Sequence, residues 1–121
     1  MDYKFDNERP IYIQLVELLR IEIISGKLSP GAKIPSVREL SFMIKVNPNT
    51  LQKALLELEK EGLIYTERTN GKFITEDIKL IEKIKRELAK EKINKYLLDM
   101  KNIGINQEEA LNYLKELGGD K

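Results

Sequence analysis

Five polar residues fall in one short run of the chain: Asn47, Asn49, Thr50, Gln52 and Lys53. Their chemistry suits a surface that reads base edges. The amide of Asn or Gln offers a donor beside an acceptor and matches adenine. Lys favours the acceptors of guanine, and the methyl of Thr fits against that of thymine. Their spacing sets them on one helix. Asn47 suits the cap, where its side chain takes a free backbone N–H, and Pro48 suits the first helical position. Leu51, Ala54, Leu55 and Leu58 recur at intervals of three and four and form an inner stripe. Asn49, Thr50, Lys53, Glu57 and Lys60 are left on the outer face, and Gly62 ends the helix. Capping alone would explain Asn47, and solvation alone would explain Gln52 and Lys53. Thr50 fits neither, because Thr is a middling helix former with no capping duty at that depth.

The elements before this helix must hold its first turn outward. Residues 11 to 25 read as a helix with Tyr12, Leu15, Val16, Leu19 and Ile23 on one face, stopped by Ser25-Gly26. Ser29-Pro30-Gly31 makes a turn, and Ile34 is extended because it precedes Pro35. A second helix starts at Ser36, which has capping-box spacing to Glu39. Its stripe is Val37, Leu40, Ser41 and Ile44, and it ends near Lys45. A tight break at Val46-Asn47 leads into the helix described above. A short helix, a tight turn and a second helix with polar residues at its start form a helix-turn-helix pattern. In that pattern the first residues of the second helix meet base edges in the major groove. After Gly62, Leu63 to Thr66 and Lys72 to Thr75 are two short β-type runs around a polar loop containing Asn70-Gly71, a hairpin signal. The hairpin with Asn70-Gly71-Lys72 would be a wing, its glycine letting the backbone approach closely while Arg68 and Lys72 supply charge.

Beyond Asp77 the composition changes. Residues 78 to 101 form a long helix with Ile78, Ile81, Ile84 and Leu88 on one stripe, then Ile93, Tyr96, Leu97 and Met100. Asn102 to Ile105, with Gly104, breaks it. Asn106 and Glu109 cap a last helix with stripe Ala110, Leu111, Leu114 and Leu117, ended by Gly118-Gly119. Two such helices bury little surface alone, and a second copy is the economical partner. Ile81, Ile84, Leu88, Tyr96, Leu97, Leu111 and Leu114 are the expected dimerisation residues. The expected fold is mainly α with a small β-hairpin: a winged helix-turn-helix over residues 1–76, followed by a two-helix C-terminal dimerisation arm over 77–121.

Composition excludes several alternatives. Among 121 residues there is no cysteine and no histidine. Disulfides and thiolate metal sites are absent, as are the usual general base and the commonest transition-metal ligand. No cofactor or metal is called for, and no convergent carboxylate pair suggests an enzyme. "SGKLS" is not a phosphate loop, because position 21 is Ile where a Gly is needed. The charged N-terminus lacks a signal-peptide pattern, and the densest apolar stretch, residues 11 to 24, is interrupted by Gln14, Glu17, Arg20 and Glu22. A cytoplasmic protein with no membrane partner is expected. Net charge is +1, but Lys33, Arg38, Lys45 and Lys53 share their window with one acid, Glu39, whereas residues 1 to 26 hold three positive charges and five acids. A local basic window in a near-neutral chain is compatible with a nucleic-acid face.

From Pro10 to Ile74 the chain resembles the winged helix-turn-helix domain of GntR-family transcription regulators. The resemblance is carried by Tyr12-x-Gln14-Leu15, Gly26-x-Leu28-x-x-Gly31, Ile34-Pro35-Ser36-Val37-Arg38-Glu39-Leu40, Val46-Asn47-x-Asn49-Thr50-Leu51, Ala54, and Leu58-x-x-x-Gly62-Leu63-Ile64. It implies that Arg38 contacts a base or phosphate and that Ser36 holds a phosphate while capping. It also implies that Asn47, Asn49 and Thr50 lie at the groove entrance and Gly71 at the wing tip. The family often has a basic residue where Gln52 stands, with the charge here at Lys53. Its wing is often Arg-Gly-x-Gly, against Arg68-Thr69-Asn70-Gly71 here. Most members append a large ligand-binding domain, whereas 45 residues follow Glu76. That resembles the short YtrA-like branch, whose C-terminal helices serve mainly as a dimerisation arm and whose members commonly repress transporter operons.

Taken together, the expectation is a homodimeric repressor that binds an inverted-repeat operator in double-stranded DNA. A winged-helix protein-interaction module is the rival, because fold does not fix function, but it would need apolar anchors between Asn49 and Lys53. A non-specific DNA-binding protein is a further alternative. RNA binding lacks exposed aromatics for base stacking. A dimer cleft between the C-terminal helices could hold a small-molecule effector, though no residue demands one.

Overall fold

The computed structural model describes residues 3–118; Gly119, half of the expected final stop, lies outside that range. The order is α1 (Ile11–Ile24), α2 (Val37–Ile44), α3 (Pro48–Lys60), β1 (Ile64–Glu67), β2 (Gly71–Ile74), α4 (Ile78–Asn102) and α5 (Gln107–Gly118). The chain forms two compact units, one running to Ile84 and the other from Lys85 onward, with the boundary inside α4.

In the first unit, α1 to α3 and the hairpin enclose a core of Leu15, Leu19, Ile23, Leu40, Ile44, Leu51, Leu55, Leu58, Leu63, Ile64 and Ile74, all buried. Each such side chain contributes about 1.5–3 kcal/mol on leaving water. The α3 stripe of Leu51, Ala54, Leu55 and Leu58 is buried in full, as its spacing requires. At the far end of α1, Arg20 donates from Nε and Nη2 to both carboxylate oxygens of Glu61, at 2.9 and 2.8 Å, a forked pair joining α1 to the end of α3.

Gln14, which interrupts an apolar run in the sequence and belongs to the Tyr12-x-Gln14-Leu15 motif, has a structural role that neither observation specified. It is buried; its Oε1 accepts from the Asp6 amide, and its Nε2 donates to the carbonyls of Asp6 and Arg9. The segment before α1 is thereby held to the helix. Tyr3 adds a hydroxyl bond to the Glu22 carboxylate at 2.6 Å.

The caps fall where local side chains satisfy the first free amides. Ser36 Oγ accepts from the Glu39 amide at 3.2 Å, and Asn47 Oδ1 accepts from the Asn49 amide at 2.8 Å. Asp77 Oδ1 accepts from the Leu80 amide at 3.1 Å. Gly62, at φ +83°, closes α3, with the Leu63 amide returning to the Leu58 carbonyl.

β1 and β2 pair antiparallel from Ile64↔Ile74 to Glu67↔Gly71, with Tyr65 stacked on Phe73 across the ladder. β2 has a second neighbour. Lys33 bridges Phe73; the Ile34 amide donates to Lys72, the Ile74 amide to Ala32, and the Gly31 amide to Ile74. The segment leading into α2 therefore lines the other edge of the hairpin.

In the second unit, Asn106 and Glu109 exchange side-chain-to-amide bonds in a capping box at the start of α5. Ala110 is buried, and Tyr96 donates to its carbonyl at 3.4 Å. Leu111, Tyr113, Leu114 and Leu117 remain exposed. Among the described residues, no helix is long and apolar enough to cross a membrane.

Candidate nucleic-acid interface

The turn between α2 and α3 sets the geometry of the candidate site. Lys45 caps α2 in the left-handed region at φ 58°, so the chain reverses within Lys45, Val46 and Asn47 before α3 begins. The first turn of α3 then presents Asn49 and Gln52 to solvent, with Thr50 half-buried beside them. None of these three side chains has a hydrogen bond to a described residue. Their donors and acceptors are open, which a base-reading surface requires. Asn47 spends its side-chain oxygen on the cap.

Arg38 is exposed on the first turn of α2 and pairs with no described residue, including Glu39 and Glu59. Its guanidinium keeps all five donors. Ser36 is committed twice, accepting from the Glu39 amide and donating from Oγ to Glu39 Oε1 at 3.0 Å.

An open groove of about 650 Å³ runs between the start of α2 and the wing. Lys33, Ser36, Arg68, Asn70, Gly71 and Lys72 border it, together with Glu39 and Glu67. At the wing tip the Asn70 amide closes the turn on the Glu67 carbonyl, and the Asn70 side chain donates to the Glu67 carboxylate. Gly71 follows at φ +100°, and a Cβ there would stand 3.4 Å from the end of the Lys33 side chain. Only a glycine takes that backbone without strain.

Two lysines of the site differ in how they are held. Lys72 donates to Thr66 Oγ1 at 2.9 Å and to Glu59 Oε2 at 3.4 Å, and Thr66 also donates to Glu59. The ammonium of Lys72 is thus engaged by Thr66 and by Glu59 of α3. Lys53 has no acid partner among the described residues; its Nζ sits 3.7 Å from the centroid of the Tyr12 ring.

The family model "Bacterial regulatory proteins, gntR family" matches residues 11–74, more than half of the chain. The chain belongs to the GntR family. It is 39% identical over 113 residues to the HTH-type transcriptional repressor YtrA of Bacillus subtilis, spanning 92% of this chain and 86% of that one. A GntR family transcriptional regulator from Listeria monocytogenes superposes with a TM-score of 0.86 at 40% identity, covering 93% of this chain and 99% of that chain. The AraR DNA-binding domain in complex with operator ORR3 superposes with a TM-score of 0.52 at 31% identity, over 62% of this chain and 90% of that one. These relatives are transcription regulators, and similarity along nearly the whole chain to YtrA is consistent with the YtrA-like branch of the family.

Within this GntR domain, the candidate residues on α2, α3 and the wing all belong to the first unit. The expected dimer residues are more dispersed. Ile81 is buried inside the first unit, and Ile84, also in that unit, is half-buried. In the second unit Leu88, Tyr96 and Leu97 are half-buried, while Leu111 and Leu114 are exposed. Sequence reasoning missed the tie of Glu59 to Lys72, the ring under Lys53, and Lys33 at the hairpin edge. It also missed Phe42, 86% exposed on α2. Phe42 was detectable, because it lies off the Leu40, Ser41, Ile44 stripe and four residues after Arg38.

Proposed function

We propose that this chain is a homodimeric transcriptional repressor that binds a specific inverted-repeat operator in duplex DNA. Residues 1–76 would act as the DNA-binding domain and 77–121 as the dimerisation region. The observation that carries the reading is the set of unengaged polar groups on the first turns of α2 and α3, Arg38, Asn49, Thr50 and Gln52, beside a groove walled by the wing. Without protein partners these groups hydrogen-bond to water, so their donors and acceptors can be transferred to a duplex without breaking contacts within the fold. The roles follow from chemistry. Asn49, Gln52 and Thr50 read base edges. Arg38 takes a base or phosphate as a fork. Arg68, Asn70 and Gly71 bring the wing against the backbone. Asn47 can donate from its side-chain amide while its oxygen caps α3, whereas Ser36 would give up its bond to Glu39 Oε1 to donate to a phosphate.

Support for repression comes from YtrA, described as a repressor, and support for operator binding from the AraR complex. A transporter operon is the target we favour by likeness to the YtrA-like branch. Dimerisation would cover the exposed Leu111 and Leu114. Two-fold symmetry then sets half-sites about one helical turn apart, roughly 10 base pairs centre to centre.

The test is selection of duplexes from a random pool at two salt concentrations, followed by titration of Arg38→Ala. An enriched inverted repeat, with about tenfold or greater loss for Arg38→Ala, fits the proposal. Salt-sensitive binding without enrichment would indicate a non-specific DNA-binding protein. No binding at either salt would favour a protein-interaction module.

A further inference from the structure

Lys53 is exposed on the outer face of α3, one turn beyond Asn49, with its ammonium drawn to the Tyr12 ring of α1 at 3.7 Å. No described carboxylate pairs with it. The two ways of holding a lysine differ in their consequence for an anionic partner. A carboxylate fixes the ammonium and cancels its charge, as Glu59 does for Lys72. An aromatic face attracts the cation through its quadrupole and carries no net charge. Lys53 is therefore restrained in direction yet keeps its full positive charge. Flexible lysines lose conformational freedom when they clamp a ligand, and holding the chain beforehand lessens that loss. On the DNA-binding reading Asn49 and Thr50 face the bases, and the head of Lys53 is directed to the Tyr12 ring of α1. A point-charge ammonium at the rim of a groove takes a phosphate.

We propose that Tyr12 is a positioning residue for DNA binding: its ring holds the uncancelled ammonium of Lys53 at the flank of α3, ready for a backbone phosphate. The inference rests on the DNA-binding reading above and adds a residue from outside the helix-turn-helix pair to its machinery.

The test is a double-mutant cycle in the full chain, using the duplex that wild-type protein enriches most from a random pool, titrated across salt. Lys53→Ala should weaken binding and lower the salt slope by about one, the signature of one lost phosphate contact. Tyr12→Phe, which keeps the ring face, should bind as wild type. Tyr12→Leu should bind about two- to fivefold more weakly with an unchanged salt slope, because the charge remains and only its restraint is gone. Tyr12→Leu combined with Lys53→Ala should equal Lys53→Ala alone. Without DNA, the ring-current shift of the Lys53 side-chain protons should persist in Tyr12→Phe and vanish in Tyr12→Leu. If Tyr12→Leu does not fold, progressive fluorination of a phenylalanine at position 12 weakens the ring face at nearly constant shape and should weaken binding in step. The proposal is overturned if Tyr12→Leu, or fluorination in its place, leaves affinity unchanged, or if the same loss appears in the Lys53→Ala background. Unchanged binding by Lys53→Ala also overturns it, while DNA binding as such still stands if Arg38→Ala fails to bind. Wild-type protein that binds no duplex overturns both.

Discussion

The ammonium of Lys72 stands 3.4 Å from the carboxylate of Glu59, so the wing is tied to α3 through a partly shielded ion pair. Their side chains are 20% and 25% exposed. Counting Lys72 as free positive charge overstates the wing's pull on phosphates by one. Glu59→Gln should release that charge. The expected result is about two- to fivefold tighter binding to any duplex, with a salt slope steeper by about one. Stability should fall by about 1 kcal/mol or less, since the pair is only partly screened from water. Titration against an unrelated duplex, alongside denaturant melts, checks both effects.

The forked pair between Arg20 and Glu61 joins α1 to the end of α3 and includes none of the candidate DNA-facing residues, so its expected consequence is stability alone. Arg20→Ala should cost about 1–2 kcal/mol through two lost charge-assisted bonds and lost packing of the Arg stem. Arg20→Lys should restore only part of this, because an ammonium cannot make the fork. Neither change should alter affinity for the selected duplex, and urea midpoints with parallel binding titrations decide the matter.

Lys45 holds a backbone conformation that suits glycine. Lys45→Gly should raise stability by up to about 1 kcal/mol, and Lys45→Val should lower it by more than that, because a β-branched side chain crowds the left-handed region. The measurement is the denaturant midpoint at unchanged slope.

Burial raises the pKa of the Tyr3 hydroxyl well above the ordinary tyrosine value, helped by its hydrogen bond to Glu22 and by the charge of that carboxylate. A folded pKa above the unfolded one stabilises the neutral form. Its contribution is complete below pH about 10 and declines as the pH climbs beyond that value. Wild-type protein should therefore lose stability above pH about 10 more steeply than Tyr3→Phe, as melts across an alkaline series will show.

Short-range features of the molecule were legible in the sequence. Ser36, Asn47 and Asn106 cap helices through bonds spanning two or three residues, and the inner stripe of α3 follows from a period of 3.6. What was hidden lies between distant positions. Nothing near Lys72 marks Glu59 as its partner, thirteen residues away, and nothing near Lys53 marks Tyr12. Composition reports how many charges a segment holds, whereas pairing decides how many it can offer. Gln14 was hidden for a related reason: a polar residue in an apolar run reads as exposed until the backbone it satisfies is folded over it.

β2 lies between β1 and the segment that leads into Ser36, bonded on both sides. A hairpin bonded along one edge could swing as a flap, and seating it on a partner would then cost conformational entropy at every binding event. Here that ordering is complete once the domain folds. Association therefore begins from a rigid frame, and the speed of docking should be set by diffusion and orientation rather than by a wing searching for its place.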